Sequence, residues 1–143
     1  MTMMHGSCHC GALNIEFTTS KSTSEFQPRA CDCSFCRKHG AAYISDPKGK
    51  LSIIQRNAGA LHEYRQGSNT ARFLLCKDCG VLVGVALDHE SGTYAAVNAG
   101  CLDDVTELGE SLSASPQRLS PEEKVSRWLA LWVPDVVFTT VPQ

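Results

Sequence analysis

Residues 76–80 read Cys76-Lys77-Asp78-Cys79-Gly80, two cysteines separated by two residues and followed by a glycine. This spacing lets both sulfurs face one metal ion while backbone N–H groups point at the first sulfur. The glycine can adopt the left-handed backbone conformation that ends such a turn. Apolar stretches flank the pair on both sides, so the pattern predicts a metal-binding hairpin turn that needs two more ligands from elsewhere.

Two further cysteine clusters precede this turn. Cys8-His9-Cys10 lies near the start of the chain, and Cys31-Asp32-Cys33-Ser34-Phe35-Cys36 follows. Zinc prefers four soft donors in a tetrahedron, and thiolates two or three residues apart can reach one ion. The two pairs together complete one closed site, and we expect its loss to unfold the protein. Its predicted ligands are Cys8, Cys10, Cys76 and Cys79.

The remaining cluster supplies three sulfurs within six residues, from Cys31, Cys33 and Cys36. Three ligands leave a fourth zinc position for water or a substrate, so we expect this site to be catalytic and the chain to bind two zinc ions. Zinc on three thiolates carries net negative charge, which suits a soft incoming thiol better than the ionisation of water. Arg37 and Lys38 could balance a fourth thiolate, or they could be solvated surface charges.

Other readings of the cysteines stay open. His39 or Cys101, the eighth cysteine, could close the three-cysteine site and make it structural. The trio could also act as an oxidisable sensor that releases zinc. A disulfide framework is disfavoured because the cysteines are bunched and the N-terminus lacks the apolar stretch of a secretory signal. We therefore expect a cytoplasmic protein with free thiols.

Length and charge exclude several classes of protein. The 143 residues predict a single domain over 1–143. The formal net charge of −2 argues against a surface that coats nucleic acid. No apolar run approaches the roughly 20 residues that a membrane span needs.

Short strands dominate the predicted secondary structure, followed by one helix near the C-terminus. Residues 13–17 alternate apolar and polar side chains, as in a half-buried strand. Similar short segments cover residues 42–44, 51–54, 61–64, 70–75, 81–87 and 93–97. For the helix, Ser120, Pro121 and Glu123 form a capping box with proline at the first position. Its apolar stripe, which we expect to pack on the core, is Val125, Trp128, Leu129 and Trp132. The predicted fold class is all-β with a terminal helix, held by metal.

The strings GSCHCGAL, CDCSFCRKHGA and CKDCG, in this order and with these gaps, resemble the glutathione-dependent formaldehyde-activating enzyme family, which also includes centromere protein V. The resemblance is strongest over residues 6–104. It implies a zinc-stabilised β-tent of small antiparallel sheets. It also implies the division above, with Cys8, Cys10, Cys76 and Cys79 structural and Cys31, Cys33 and Cys36 at the catalytic zinc.

The family's reaction joins formaldehyde and glutathione to give S-hydroxymethylglutathione, or runs in reverse. The resemblance therefore implies a carbon–sulfur lyase with a glutathione-like thiol and an aldehyde as partners. Arg37 or Lys38 could then stabilise the developing oxyanion. The alternative is a non-catalytic binding module in which both zinc sites only support a β surface.

Overall fold

The computed structural model describes residues 1–141. Eleven strands and two α-helices succeed one another along the chain, with short 3-10 turns between some of them. In order they are β1 Thr2–Ser7, β2 Leu13–Thr19, β3 Arg29–Cys31, α1 Ser34–His39, β4 Ala42–Ile44, β5 Lys50–Gln55, β6 Leu61–Tyr64, β7 Arg72–Cys76, β8 Leu82–His89, β9 Gly92–Asn98, β10 Leu112–Ala114, α2 Pro121–Leu131 and β11 Asp135–Thr140. The mainly β prediction with one C-terminal helix is confirmed.

The strands form two sheets. A four-stranded sheet has the order β1-β2-β5-β11, and a seven-stranded sheet has the order β10-β3-β4-β9-β8-β7-β6. Most neighbours are antiparallel, as expected for small antiparallel sheets, but β10 runs parallel to β3 and β11 runs parallel to β5. These pairings join strands far apart in sequence, because parallel neighbours need a long connection. Both sheets are therefore mixed.

The alternation in β2 places its apolar side chains between the two sheets. Leu13, Ile15 and Phe17 are at most 1% exposed and pack with Leu74 and Val83 of the second sheet. The other face of the seven-stranded sheet packs against the two helices in a second apolar cluster. The interior strand β8 is thus covered on both faces, which explains its continuous apolar sequence.

Helix α2 begins as the sequence indicates. The Ser120 side chain accepts a hydrogen bond from the Glu123 N–H, and the Glu123 carboxylate accepts one from the Ser120 N–H at 3.0 Å. The apolar stripe packs against the second cluster, and the rings of Trp128 and Trp132 stack with centroids 4.6 Å apart. Across residues 1–141, no helix combines the length and the apolar character needed to cross a membrane.

Candidate metal centres and the adjoining cavity

The structure brings the two cysteine pairs together as predicted. The Sγ atoms of Cys8, Cys10, Cys76 and Cys79 all lie within 4.8 Å of one another. The Sγ of Cys10 lies 3.7 Å from that of Cys8 and 3.6 Å from that of Cys76. A tetrahedron with Zn–S bonds of about 2.3 Å has sulfurs about 3.8 Å apart, so this donor set fits zinc.

Backbone groups hold these sulfurs in place. The Leu13 N–H donates to the Cys8 sulfur at 3.3 Å, and the Cys79 N–H donates to the Cys76 sulfur at 3.5 Å. Gly80 has a φ of 79°, the left-handed conformation expected from the sequence. The turn lies between β7 and β8, so the predicted hairpin position of the second pair is confirmed.

The other three cysteines form a second cluster. Cys31 ends β3, Cys33 precedes α1, and Cys36 lies within α1. Their Sγ atoms also lie within 4.8 Å of one another. The Cys33 sulfur caps α1 by accepting the Cys36 N–H at 3.4 Å. A strand end and a short helix therefore direct three sulfurs to one point.

Among residues 1–141, neither candidate fourth ligand joins this trio. His39 is exposed, and its ring lies against Phe35 with centroids 4.6 Å apart. The Cys101 thiol donates to the Leu82 carbonyl at 3.3 Å. Cys101 packs instead against the core cluster that contains Cys8 and Cys76. Burial, followed by the charges of Cys8 and Cys79, raises its pKa to about 11.

The environment of the trio favours a bound cation. A hydrogen bond from Cys36 is the main reason that the pKa of Cys31 falls to about 6. The pKa of Cys36 rises mainly because of that same bond. Three clustered thiols bind a soft metal as thiolates and release their protons to solvent. Like the first donor set, this one fits zinc.

A cavity of about 290 Å³ adjoins the trio. All three cysteines line it, together with the buried Tyr43 and Phe73 from the seven-stranded sheet. Helix α2 supplies much of the opposite wall, through Lys124, Arg127, Trp128 and Leu131, with Trp132 at its C-terminal cap. The apolar stripe of α2 thus does more than pack on the core as expected, because its two tryptophans also line the cavity.

The cations at the cavity differ from those expected. Arg37 and Lys38 are exposed on α1 and are absent from the cavity lining. The lining cations are Arg29, Lys124 and Arg127. The spacing offered a signal: Arg29 lies two residues before Cys31, so both side chains project from the same face of β3. The two helical cations are three residues apart and share a face of α2.

The segment before α2 is hydrogen-bonded to Asp32, between Cys31 and Cys33. Ser115 Oγ donates to the Asp32 carboxylate at 2.5 Å, and Gln117 Nε2 donates at 3.1 Å. The Asp32 N–H in turn donates to the Ala114 carbonyl at 2.9 Å. Asp32 lies between two of the trio's cysteines, so these bonds tie one wall of the cavity directly to the candidate metal centre.

Comparison with known proteins agrees with this architecture. Residues 3–123 match the family described as glutathione-dependent formaldehyde-activating enzyme. A Rhodobacter sphaeroides protein of known crystal structure shares 32% sequence identity with this chain, and the two structures align with a TM-score of 0.60. The match covers 78% of this chain and 100% of that one. The family match contains all seven clustered cysteines and extends beyond residue 104 to the first turn of α2.

Proposed function

This chain belongs to the glutathione-dependent formaldehyde-activating enzyme family, and on that basis we propose that it is a carbon–sulfur lyase that forms or cleaves an S-hydroxymethyl thiol adduct. The observation that carries the proposal is the trio of Cys31, Cys33 and Cys36, which lines a cavity and has no fourth protein ligand among residues 1–141. Such a centre leaves room for an exogenous group, whereas a closed four-cysteine centre does not.

Zinc bound by this trio would supply a Lewis-acidic position that favours the thiolate form of a soft thiol. The chain's own residues would orient the two reactants. Phe73, Trp128 and Trp132 shield part of the cavity from water, and the lining cations attract an anionic thiol. Cys8, Cys10, Cys76 and Cys79 would hold a second zinc ion, which would stabilise the fold.

In the synthetic direction, the thiol sulfur forms a bond to the aldehyde carbon as the carbonyl π bond breaks. The thiol proton ends on the carbonyl oxygen, which becomes the hydroxyl group of the adduct. A cation facing the cavity, Arg29 or Lys124, is available to stabilise negative charge on that oxygen before the proton arrives. Because the uncatalysed addition is already easy, orientation accounts for most of the proposed advantage.

The cytoplasm is the compartment we propose, because all eight cysteines are free and thiols persist there in the reduced state. Glutathione is also the thiol that the family's reaction implies.

Exchange spectroscopy by NMR tests the proposed reaction. A mixture of glutathione and formaldehyde reaches equilibrium with its adduct, and the zinc-loaded protein should speed the exchange between free and adduct signals. Cys33→Ser should abolish the acceleration. Cys101→Ser is the matched control, since its hydroxyl can still donate to the Leu82 carbonyl and the trio is intact. A zinc-loaded wild-type protein that leaves the exchange rate at its buffer value, for glutathione and for other common thiols, removes the proposal.

A further inference from the structure

The cavity beside the trio is lined by basic side chains and by no acidic ones. The ion pairs among residues 1–141 all involve Arg65 or Arg72, which lie elsewhere. Arg29, Lys124 and Arg127 therefore have no carboxylate partner within the described part of the chain.

The trio's own charge does not account for all three cations. Zinc would neutralise two of the three thiolate charges, so the positive charge facing the cavity exceeds what remains. Lys124 is partly occupied by a 3.4 Å hydrogen bond to the Ser68 hydroxyl. The two arginines are the better-placed pair for a ligand, and their like charges repel unless an anion lies between them.

Arg29 is held in position by neutral groups. Its guanidinium donates to Ser45 Oγ at 2.8 Å, and that hydroxyl donates to the Leu131 carbonyl at the end of α2 at 2.7 Å. This chain of bonds connects β3, the residue that follows β4, and α2. It uses only part of the donor fork of Arg29. Arg127, one turn before Leu131, makes no ion pair within residues 1–141. The remaining donors of both side chains are available to a ligand.

We propose that Arg29 and Arg127 form a carboxylate-binding subsite that makes the cavity selective for small thiols carrying a carboxylate group. This inference rests on the proposed thiol chemistry of the cavity and adds the residues that select the substrate. A planar guanidinium matches the two oxygens of a carboxylate. A thiol attached to a nucleotide is disfavoured, because about 290 Å³ is at the small end of known ligand sites.

The chain carries its own reporter of occupancy. It contains two tryptophans, Trp128 and Trp132, and both line the cavity. Intrinsic tryptophan fluorescence should therefore report a ligand that enters the cavity. Thioethers serve as probes because they have no free thiol and cannot react.

The experiment compares N-acetyl-S-methylcysteine with its uncharged amide, by fluorescence and by calorimetry on the zinc-loaded protein. We expect the acid to bind about tenfold more tightly or better, since the amide cannot make the charge-assisted hydrogen bonds that a carboxylate makes to a guanidinium. Arg127→Met, an exposed helical substitution that should not disturb folding, should remove most of this preference, and Arg29→Met should do the same. Arg56→Met is the control, because Arg56 is exposed and does not line the cavity.

Equal binding of acid and amide, no binding of the acid, or a preference that survives in Arg127→Met overturns the subsite. The NMR exchange assay of the proposed reaction is interpreted independently of these binding measurements. Selective, Arg127-dependent binding without catalysed exchange keeps the subsite and removes the lyase. Catalysed exchange with no preference for acidic thiols keeps the lyase and removes the subsite. Tighter binding of S-methyl coenzyme A than of the acid overturns the assignment to small carboxylates.

Discussion

The hydroxyl oxygen of Tyr43 lies 3.1 Å from the Sγ atom of Cys36, and both residues are buried. Tyr43 belongs to β4, whose partner strand β3 ends at Cys31. The seven-stranded sheet thus supports the three-cysteine centre through a side chain as well as through its strand ends. A hydroxyl that donates to a ligand sulfur stabilises its thiolate form and fixes its direction.

Tyr43→Phe should weaken zinc binding at the trio by about tenfold, the lower end of the effect of removing an outer hydrogen bond from a metal ligand. The four-cysteine site should keep its affinity. A chelator titration that resolves the two zinc ions measures both constants. Tyr94→Phe is the matched control, since the Tyr94 hydroxyl bonds to the exposed Ser91 instead. Equal zinc affinity at the trio in both variants would show that the Tyr43 contact is unimportant to the metal.

The two cysteine clusters should differ in what they do for stability. Cys76→Ser removes a ligand from the site that joins the N-terminus to the β7–β8 turn, so we expect the free energy of unfolding to fall by about 3 kcal/mol or more. Cys33→Ser should leave a folded protein with one zinc ion. Urea unfolding followed by circular dichroism gives the comparison, with zinc content measured on the same samples. The assignment of roles is reversed if Cys33→Ser is the variant that unfolds.

Asp32 should control the mobility of the cavity wall. Asp32→Ala removes the acceptor for Ser115 and Gln117, so the amides of residues 112–118 should exchange with deuterium faster. Hydrogen-exchange mass spectrometry measures this, and Asp103→Ala, a change at an exposed carboxylate outside the cavity, is the reference. Unchanged exchange in that peptide would mean that the β3–β10 pairing alone holds the wall.

Helix α2 should lose stability in acid in a way that depends on Glu123. A hydrogen bond from the Ser120 N–H is the main cause of the lowered pKa of Glu123. A carboxyl with a lowered folded-state pKa stabilises the fold above its unfolded value, near 4.5, and this contribution disappears as the pH falls through the lower, folded-state pKa.

Glu123→Gln tests this dependence, because glutamine can accept the same bond but does not titrate. The difference in unfolding free energy between wild type and variant should be constant above pH 5 and shrink at lower pH. Urea titrations at matched pH values, on protein with equal zinc content, provide the measurement. A difference that grows on acidification contradicts the capping role of the carboxylate.

Local patterns in the sequence were enough to predict the two cysteine clusters and the C-terminal helix. The cysteine spacings depend on geometry within a single turn, and the capping box of Ser120 and Glu123 spans four residues, so neither needs knowledge of distant contacts. The strands on either side of the Cys76 and Cys79 pair could be predicted in the same way, because the sequence of each alternates or is continuously apolar.

The features that the sequence did not reveal depend on long-range pairing. Strand β11 was not predicted, and its parallel pairing with β5 joins residues some 85 positions apart. The short strands β3 and β10 have too few residues to show a period. The same limit applies to part of the cavity. Arg37 and Lys38 are adjacent to the trio in sequence, but Lys124 and Arg127 reach the cavity only because α2 packs on the seven-stranded sheet.

The proposed chemistry requires that the trio of Cys31, Cys33 and Cys36 hold zinc with a position open to a thiol. A crystal structure of the zinc-loaded protein soaked with glutathione, with anomalous data collected at the zinc edge, tests it most directly. We expect two zinc ions, with a glutathione sulfur as the fourth ligand at the trio. A trio closed by a side chain such as His39, or a trio without zinc beside a filled four-cysteine site, would contradict it and favour a non-catalytic binding module.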